Sequence, residues 1–325
     1  MPKPAAHYDL AAMIGADRLA RGLWWGRSLD LVAGCSPVDY SCARCWSAAQ
    51  AHRFARHPHP GIRQRNQGLT DQAGQWTGEV RLNWREAMDK IIKARPTVWA
   101  VWTDLFHHEI SDLEIGASWR AMADAPQHVF CVLTKRIHRA ANLLPKIVAN
   151  MQMPPPANIL VGTTVADDFT AWRIDVLADT PAARRFVSYE PYLGPTDWTA
   201  RSQPPSQSTQ ERIRQIDWLI AGPETGPGAR PSPLDFARQA RDAAAICGVP
   251  FFYKGSRWRE TKANQAPEVG KDAQDRTEPH RGLVATKPVR SRRWCYRCQP
   301  KRQELDGCIW HELPELPQEA KNGGH

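Results

Sequence analysis

The stretch His128–Thr134 (HVFCVLT) is short, apolar and rich in β-branched and aromatic side chains, and it ends on a hydroxyl. The same texture recurs on both sides of it. Upstream lies Thr97–Thr103 (TVWAVWT); downstream lie Asn158–Val165 (NILVGTTV), Arg185–Glu190 (RFVSYE), Ile216–Gly222 (IDWLIAG) and Val249–Lys254 (VPFFYK). The runs are spaced by about 30 residues, the length of one strand-loop-helix-loop unit. Helix-like segments fill the intervals: Asn83–Lys93, Ala166–Leu177 and Leu234–Ile246, the last with Phe236, Ala240, Ala243 and Ala244 at helical spacing. A shorter strand at Leu29–Gly34 (LDLVAG) brings the expected number of βα units to about seven. Strands that are apolar throughout, without alternation, belong to parallel sheets buried on both faces. The predicted class is therefore α/β, either an open doubly wound sheet or a full or partial (β/α) barrel.

In both architectures ligands bind at the carboxyl ends of the strands. The residues expected there are Cys35, Thr103 and Asp104, Thr134 with Lys135 and Arg136, Thr163 and Thr164, Ser188 with Glu190, Gly222 with Glu224, and Lys254. One polar or charged group per strand end is the pattern of a pocket. Arg56–Trp76 is polar and reads as a loop, and Thr199–Gln215 reads as a flexible insertion. The periodicity fades after Lys254. This predicts a barrel over residues 1–254 and an irregular extension over 255–325.

The bulk composition bounds the partners. The chain has 325 residues, 42% of them hydrophobic and 24% charged, as in ordinary folded proteins. No run approaches the roughly 18 apolar residues of a membrane span, and the N-terminal stretch is too often broken by charge for a signal core. We expect a cytoplasmic protein with no membrane partner, in which eight cysteines suggest metal or catalysis before disulfides. A net charge of +9 and 14 tryptophans favour a polyanion such as nucleic acid, through phosphate contacts and base stacking.

Gly34–Trp46 (GCSPVDYSCARCW) carries Cys35, Cys42 and Cys45 in a C-x6-C-x2-C spacing. A closed zinc site lacks a fourth ligand here unless His52 or Asp39 supplies it. An iron–sulfur cluster held by three thiolates instead leaves one iron open.

Taken together, GCSPVDYSCARCW, VWTDLFH (Val101–His107), VLTKR (Val132–Arg136), SYEPYLG (Ser188–Gly194), IDWLIAGPETGPGARP (Ile216–Pro231), VPFFYKG (Val249–Gly255) and the LDG-x-x-W of Leu305–Trp310 resemble a phage-associated radical S-adenosylmethionine-like family of unknown function. The resemblance covers about Trp25 to Trp310. It implies a full or partial (β/α) barrel of radical SAM type, with a [4Fe–4S] cluster on Cys35, Cys42 and Cys45. The open iron would be chelated by S-adenosylmethionine, whose one-electron cleavage yields a 5′-deoxyadenosyl radical for hydrogen abstraction. The chain's part is then to orient the cofactor and to exclude water and oxygen.

Within that frame Asp104 is the expected acceptor for the methionine ammonium. Thr134, Thr163 and Ser188 are expected on ribose or carboxylate. Lys135 or Arg136 would neutralise the methionine carboxylate. Glu190 and Glu224 would bind ribose, methionine or substrate, with Lys254 reaching in from the last strand. Structural ion pairs with Arg173, Arg184 or Arg230 are the bland alternative for the carboxylates. Three residues depart from the family pattern: Arg44 stands where an aromatic or His is common, Pro223 replaces a backbone donor, and Trp46 follows the third cysteine.

The tail offers a second constellation, Cys295, Cys298, Cys308 and His311, in the spacing of a small structural zinc knuckle or a second cluster. Cys131 and Cys247 sit in apolar settings and read as core. The leading functional reading is a radical SAM enzyme acting on a nucleic-acid base or nucleotide in phage-related modification or repair, served by a reducing electron donor. Its rivals are a radical enzyme acting on a peptide or small metabolite, and a non-catalytic zinc- or cluster-bearing nucleic-acid-binding protein.

Overall fold

A computed structural model describes residues 8–201, 210–226, 228–255, 304–306 and 308–316. Seven parallel strands form one sheet: β1 (Arg27–Ser28), β2 (Val98–Val101), β3 (Val129–Thr134), β4 (Ile159–Thr164), β5 (Arg184–Tyr189), β6 (Trp218–Ala221) and β7 (Phe251–Tyr253). Their spatial order is their order in the chain. A doubly wound sheet would reverse direction at a switch point; this one does not. The sheet curls without closing, so the fold is a mixed α/β half-barrel.

Alternation along the strands sends successive side chains to opposite faces. Val98, Ala100, Val129, Cys131, Leu160, Phe186, Trp218, Ile220 and Phe252 share the concave face with Trp24, Leu10, Ile14 and Leu19. The other parity, Trp99, Val101, Phe130, Val132, Ile159, Val161, Val187, Tyr189, Leu219, Phe251 and Tyr253, packs under the helices. Trp24 plugs the concave side: its ring meets Phe186 at 5.7 Å and Trp218 at 5.6 Å between centroids. Each such pair contributes about 1 kcal/mol beyond its buried area. Gly162 makes this packing feasible, since a Cβ there would lie 2.3 Å from the Phe186 ring.

The helices Trp84–Lys93, Asp112–Ala123, Ile137–Met151, Trp172–Ala178 and Leu234–Cys247 cover the convex face. Asp112–Ala123 begins at a capping box, Ser111 with Glu114, which satisfies two backbone donors reciprocally. Leu234–Cys247 ends at Gly248, whose φ of 69° suits a left-handed helix stop.

Three expectations are corrected. The Leu29–Gly34 strand does not enter the parallel sheet. The sheet takes Arg27–Ser28, and Val32–Ala33 instead pairs antiparallel with Arg81–Leu82. Gly34 permits that departure: at φ 89° its α-carbon lies so close to the Glu79 carbonyl that a Cβ would collide with it. The loop Arg56–Trp76 contains a helix, Pro60–Asn66, started by proline at its first position. The helix expected over Ala166–Leu177 is split into a 3-10 turn, Asp168–Thr170, and Trp172–Ala178, because Asp167 and Thr170 cap one another first.

The described C-terminal residues return to the sheet. Tyr253 N donates to Trp310 O (2.6 Å) and Glu312 N to Phe251 O (3.1 Å), laying 310–312 along the open edge of β7. Covering an edge removes unpaired backbone groups that would otherwise template aggregation. Among the described residues no helix is long and apolar enough to cross a membrane.

Candidate active site

A cavity of about 520 Å³ opens at the carboxyl ends of the strands, within the usual range for small-molecule sites. All seven strands contribute through the residues at or just after their ends: Ser28, Trp102 to Asp104, Leu133 to Arg136, Thr164, Ser188 with Glu190, Pro223 to Thr225, and Lys254. The loop Cys35–Cys45 closes one side, and all three of its cysteines line the cavity. Among the described residues no three His, Cys, Asp or Glu side chains are gathered as they stand into a group that could hold a metal ion.

The loop is shaped by its own capping. Asp39 Oδ1 accepts from Ser41 N (2.7 Å) and starts the 3-10 turn Tyr40–Arg44, which carries Cys42; Cys45 follows at its end. Asp39 also forms an ion pair with the buried Arg173 and lies 3.9 Å from Lys135 Nζ. Burial works to raise the Asp39 carboxyl, but Lys135, Ser41 and Arg173 outweigh it and hold its pKa low. His52 bonds Thr70 Oγ1 at 3.1 Å and is absent from the cavity wall. Neither candidate for a fourth zinc ligand is thus presented to the thiols: one is a cap and an ion-pair partner, the other turns away.

Two cations reach the sulfurs from the end of β3. Lys135 Nζ lies 3.4 Å from Cys42 Sγ, and Arg136 Nη1 lies 3.8 Å from Cys35 Sγ. Burial, then the charge of Asp104, push the Cys35 thiol up to about 11 against the opposing pull of Arg136. The unliganded thiol is therefore protonated at neutral pH, and a coordinating cation would have to displace that proton.

Asp104 lines the cavity, yet both its oxygens are engaged. Oδ1 accepts from Thr134 Oγ1 (2.6 Å) and Phe106 N (3.2 Å), and Oδ2 pairs with Arg136 at 2.6 Å. Arg136 also donates to Ser36 O (3.1 Å) and Ser36 Oγ (2.7 Å). Asp104, expected at the methionine ammonium, and Arg136, the alternative to Lys135 at the carboxylate, hold each other and the Cys35 turn. His107 Nε2 lies 2.8 Å from Ser36 Oγ behind them; burial, then Arg136, His108 and Arg139, lower its pKa to about 4.

The remaining carboxylates also have cationic partners. Glu190 pairs with Lys254 (2.7 Å) and accepts from Ser188 Oγ (3.1 Å). Glu224 receives the Arg230 guanidinium on both oxygens, and its pKa is lowered: burial opposes, while the Arg230 hydrogen bonds and charge prevail. Thr163 is a correction. Its Oγ1 donates to Thr134 O (2.8 Å) within the sheet, and it does not line the cavity. Thr164, one position on, has the inward parity. A strand buried at every position carries no polarity signal to fix that parity.

The cavity also has an aromatic wall, which the sequence pattern does not announce. Trp25, Trp46, Trp76 and Trp102 line the cavity; Trp102 meets Trp25 at 4.4 Å and Trp46 at 5.2 Å, both edge to face. Lys254 Nζ sits 5.3 Å from the Trp25 ring centre. The inward phase of Trp102 would have marked it only once β2 had been placed. The Thr103 and Thr164 hydroxyls make no hydrogen bond among the described residues, which leaves them for a ligand. In the tail, Cys308 is exposed while the His311 ring stacks on Phe252 at 4.4 Å; Cys295 and Cys298 lie outside the described residues.

Fold and site together define a parallel α/β half-barrel with a cysteine-lined cavity at the carboxyl ends of its strands. The chain belongs to the family described as Protein of unknown function (DUF5131), whose pattern it matches over residues 22–314. No curated protein and no solved structure matches it.

Proposed function

We propose that the protein is a radical S-adenosylmethionine enzyme acting on a nucleic-acid base or nucleotide, with Cys35, Cys42 and Cys45 as ligands of a [4Fe–4S] cluster. The observation that carries this reading is the convergence of those three thiols on one cavity with the carboxyl ends of all seven strands. The donor set suits the group. Three thiols leave one corner of a cubane for a cofactor, and Lys135 and Arg136 stand beside two of the sulfurs, where they would offset the charge of a thiolate-bound cluster. Bound with S-adenosylmethionine, the cluster would supply one-electron chemistry and hydrogen abstraction from an unactivated carbon.

The chain's own residues orient and protect. Arg136, held by Asp104, fixes the turn at Cys35 and Ser36. The Thr103 and Thr164 hydroxyls and the Ser188–Glu190–Lys254 group offer hydrogen bonds to ribose and to an amino-acid moiety. Arg44 and the tryptophan wall offer faces for a purine. The wall also limits water access to the reacting atoms.

Anaerobic reconstitution tests the proposal. The wild-type chain should turn brown, take up about four irons and release 5′-deoxyadenosine on reduction in the presence of S-adenosylmethionine. Cys42→Ser should lose the colour and the release. Bound zinc in anaerobically prepared protein, or a cluster undisturbed in Cys42→Ser, would refute it.

A further inference from the structure

Between Asp39 and Asp71 the chain has no acidic residue, while it carries Arg44, Arg53, Arg56, Arg63 and Arg65. Arg65 is neutralised by Glu86 at 2.8 Å. Among the described residues the other four form no ion pair, and all four are exposed. Their placement is directional. The helix Trp46–Phe54 starts on the cavity wall, where Trp46, Ser47 and Gln50 line the opening. Trp46, Gln50 and Arg53 are exposed and fall on one helix face by three- and four-residue spacing. Arg56 follows this helix, and Arg63 is carried on the adjoining helix Pro60–Asn66. Arg44 stands at the mouth itself. From the cavity outward the chain thus carries exposed guanidinium groups without ion pairs, the first of them, Arg44, donating to the Gly228 carbonyl.

Exposed aromatic rings gather at the same end of the barrel. Among the described residues the large exposed aromatics are Tyr40, Trp46, Phe169 and Trp172, at 44%, 48%, 87% and 37% exposure. Tyr40 and Trp46 belong to the cysteine loop and the helix it enters. Phe169 and Trp172 belong to the segment after β4, tied to that loop by the Tyr40 hydroxyl on Asp167 and by the Asp39–Arg173 pair. The Trp172 ring already stacks on His138 at 4.7 Å, and the Arg230 guanidinium lies 6.0 Å from the Tyr40 ring centre. Among the described residues Trp46 and Phe169 are therefore the exposed rings with no stacked partner; exposed rings gathered at one rim mark a binding surface.

We propose that this rim is a binding track for single-stranded nucleic acid, with phosphates on Arg53, Arg56 and Arg63 and bases on the exposed rings, Trp46 first. Guanidinium groups beside stacking platforms are the means by which proteins hold single strands. The cavity is recessed behind the rim, so a base must leave its stack to enter it, and an unpaired strand meets that need at least cost. The track deepens the function proposed above by naming how the substrate arrives, but strand binding itself requires no cluster.

The test uses the full chain without added iron, with fluorescence anisotropy of a labelled 20-nucleotide single strand as DNA and as RNA, and of the matching DNA duplex. Wild type should prefer single strands to the duplex, with affinity falling steeply with salt. Arg53→Gln/Arg56→Gln/Arg63→Gln should weaken binding about tenfold or more and flatten the log–log salt slope by about 2, near 0.7 per phosphate contact. Trp46→Ala should weaken it by about fivefold or more at unchanged salt slope. Lys93→Gln/Arg120→Gln/Lys146→Gln, on the helices of the convex face, should leave affinity within twofold; melting curves check that each variant is folded. Equal affinity of the Arg53/Arg56/Arg63 variant and this control, or preference for the duplex, would overturn the track. Strand binding without any release of 5′-deoxyadenosine would leave the track standing and remove the radical reading. Radical turnover on a free nucleotide, with binding indifferent to the arginines, would do the reverse.

Discussion

Replacing Asp104 by asparagine keeps the shape of the side chain and removes its charge. The carboxylate accepts from Thr134 Oγ1, Phe106 N and Arg136 Nη1, and only 7% of the Asp104 side chain and 13% of the Arg136 side chain are exposed. An amide cannot accept at both ends, so Asp104→Asn sets an N–H against either the guanidinium or the Phe106 backbone N–H, whereas the Thr134 hydroxyl can turn to accept. It also leaves the Arg136 charge buried without its partner. Breaking such a pair from one side costs about 3–5 kcal/mol. At roughly 2–4 °C per kcal/mol, the low end of that cost lowers the melting temperature by about 6–12 °C. Arg136→Met should cost a similar amount for the mirror-image reason. The double variant should lose clearly less than the sum, since it removes both charges from a poorly solvated place. Urea denaturation of all four proteins at neutral pH measures the cycle. Additivity within about 0.5 kcal/mol would show that the two groups do not depend on each other, and the account of how the Cys35 turn is held would fail with it.

Other perturbations separate packing from chemistry. Gly162→Ala places a methyl 2.3 Å from the rigid Phe186 ring and should cost about 1–3 kcal/mol by overpacking in denaturant titration; an unchanged midpoint would contradict the packing beneath Trp24. In Gly222→Ala the nearest atoms to the new Cβ are those of the movable Glu190 side chain, with Oε1 at 2.4 Å. Stability should change by less than about 1 kcal/mol, while a crystal structure should show Glu190 withdrawn from Lys254. Burial lowers the His311 pKa to about 4 from its ordinary 6.5. The folded state therefore binds fewer protons than the unfolded chain across that window. The stability this group contributes is complete above about pH 6.5 and is lost as pH falls through 4, by at most about 3 kcal/mol. His311→Phe preserves a ring against Phe252 and should flatten the acid limb of the stability profile; an identical limb would place the titration elsewhere.

Much of the scaffold is legible in the sequence. The cores of runs such as HVFCVLT and NILVGTT, Val129–Leu133 and Ile159–Gly162, are apolar without alternation because both faces of their strands are covered, and their regular spacing leaves room for one helix each. The three clustered thiols and the polar residues after each strand were visible for the same local reason: chain order alone puts them at one end of a parallel sheet. Full burial also hides the phase of a strand, so the sequence offers Thr163 and Thr164 alike, and only Thr164 lines the cavity. The LDLVAG stretch does not announce its partner, since its apolar pattern is the same whichever neighbour it pairs with, and Gly34's approach to Glu79 accompanies the antiparallel one.

The sequence by itself therefore determined the parallel α/β class, the chain order of the strands and the end of the sheet that bears the cavity, since these follow from local patterns repeated along the chain. Only the tertiary structure decided that the sheet stays open and which cation answers which carboxylate. It alone showed that Asp104 holds Arg136, that Glu224 holds Arg230, and that four tryptophans line the cavity. Those pairings join residues far apart in the chain, and their energies depend on distance and burial, which exist only once the chain has closed around them.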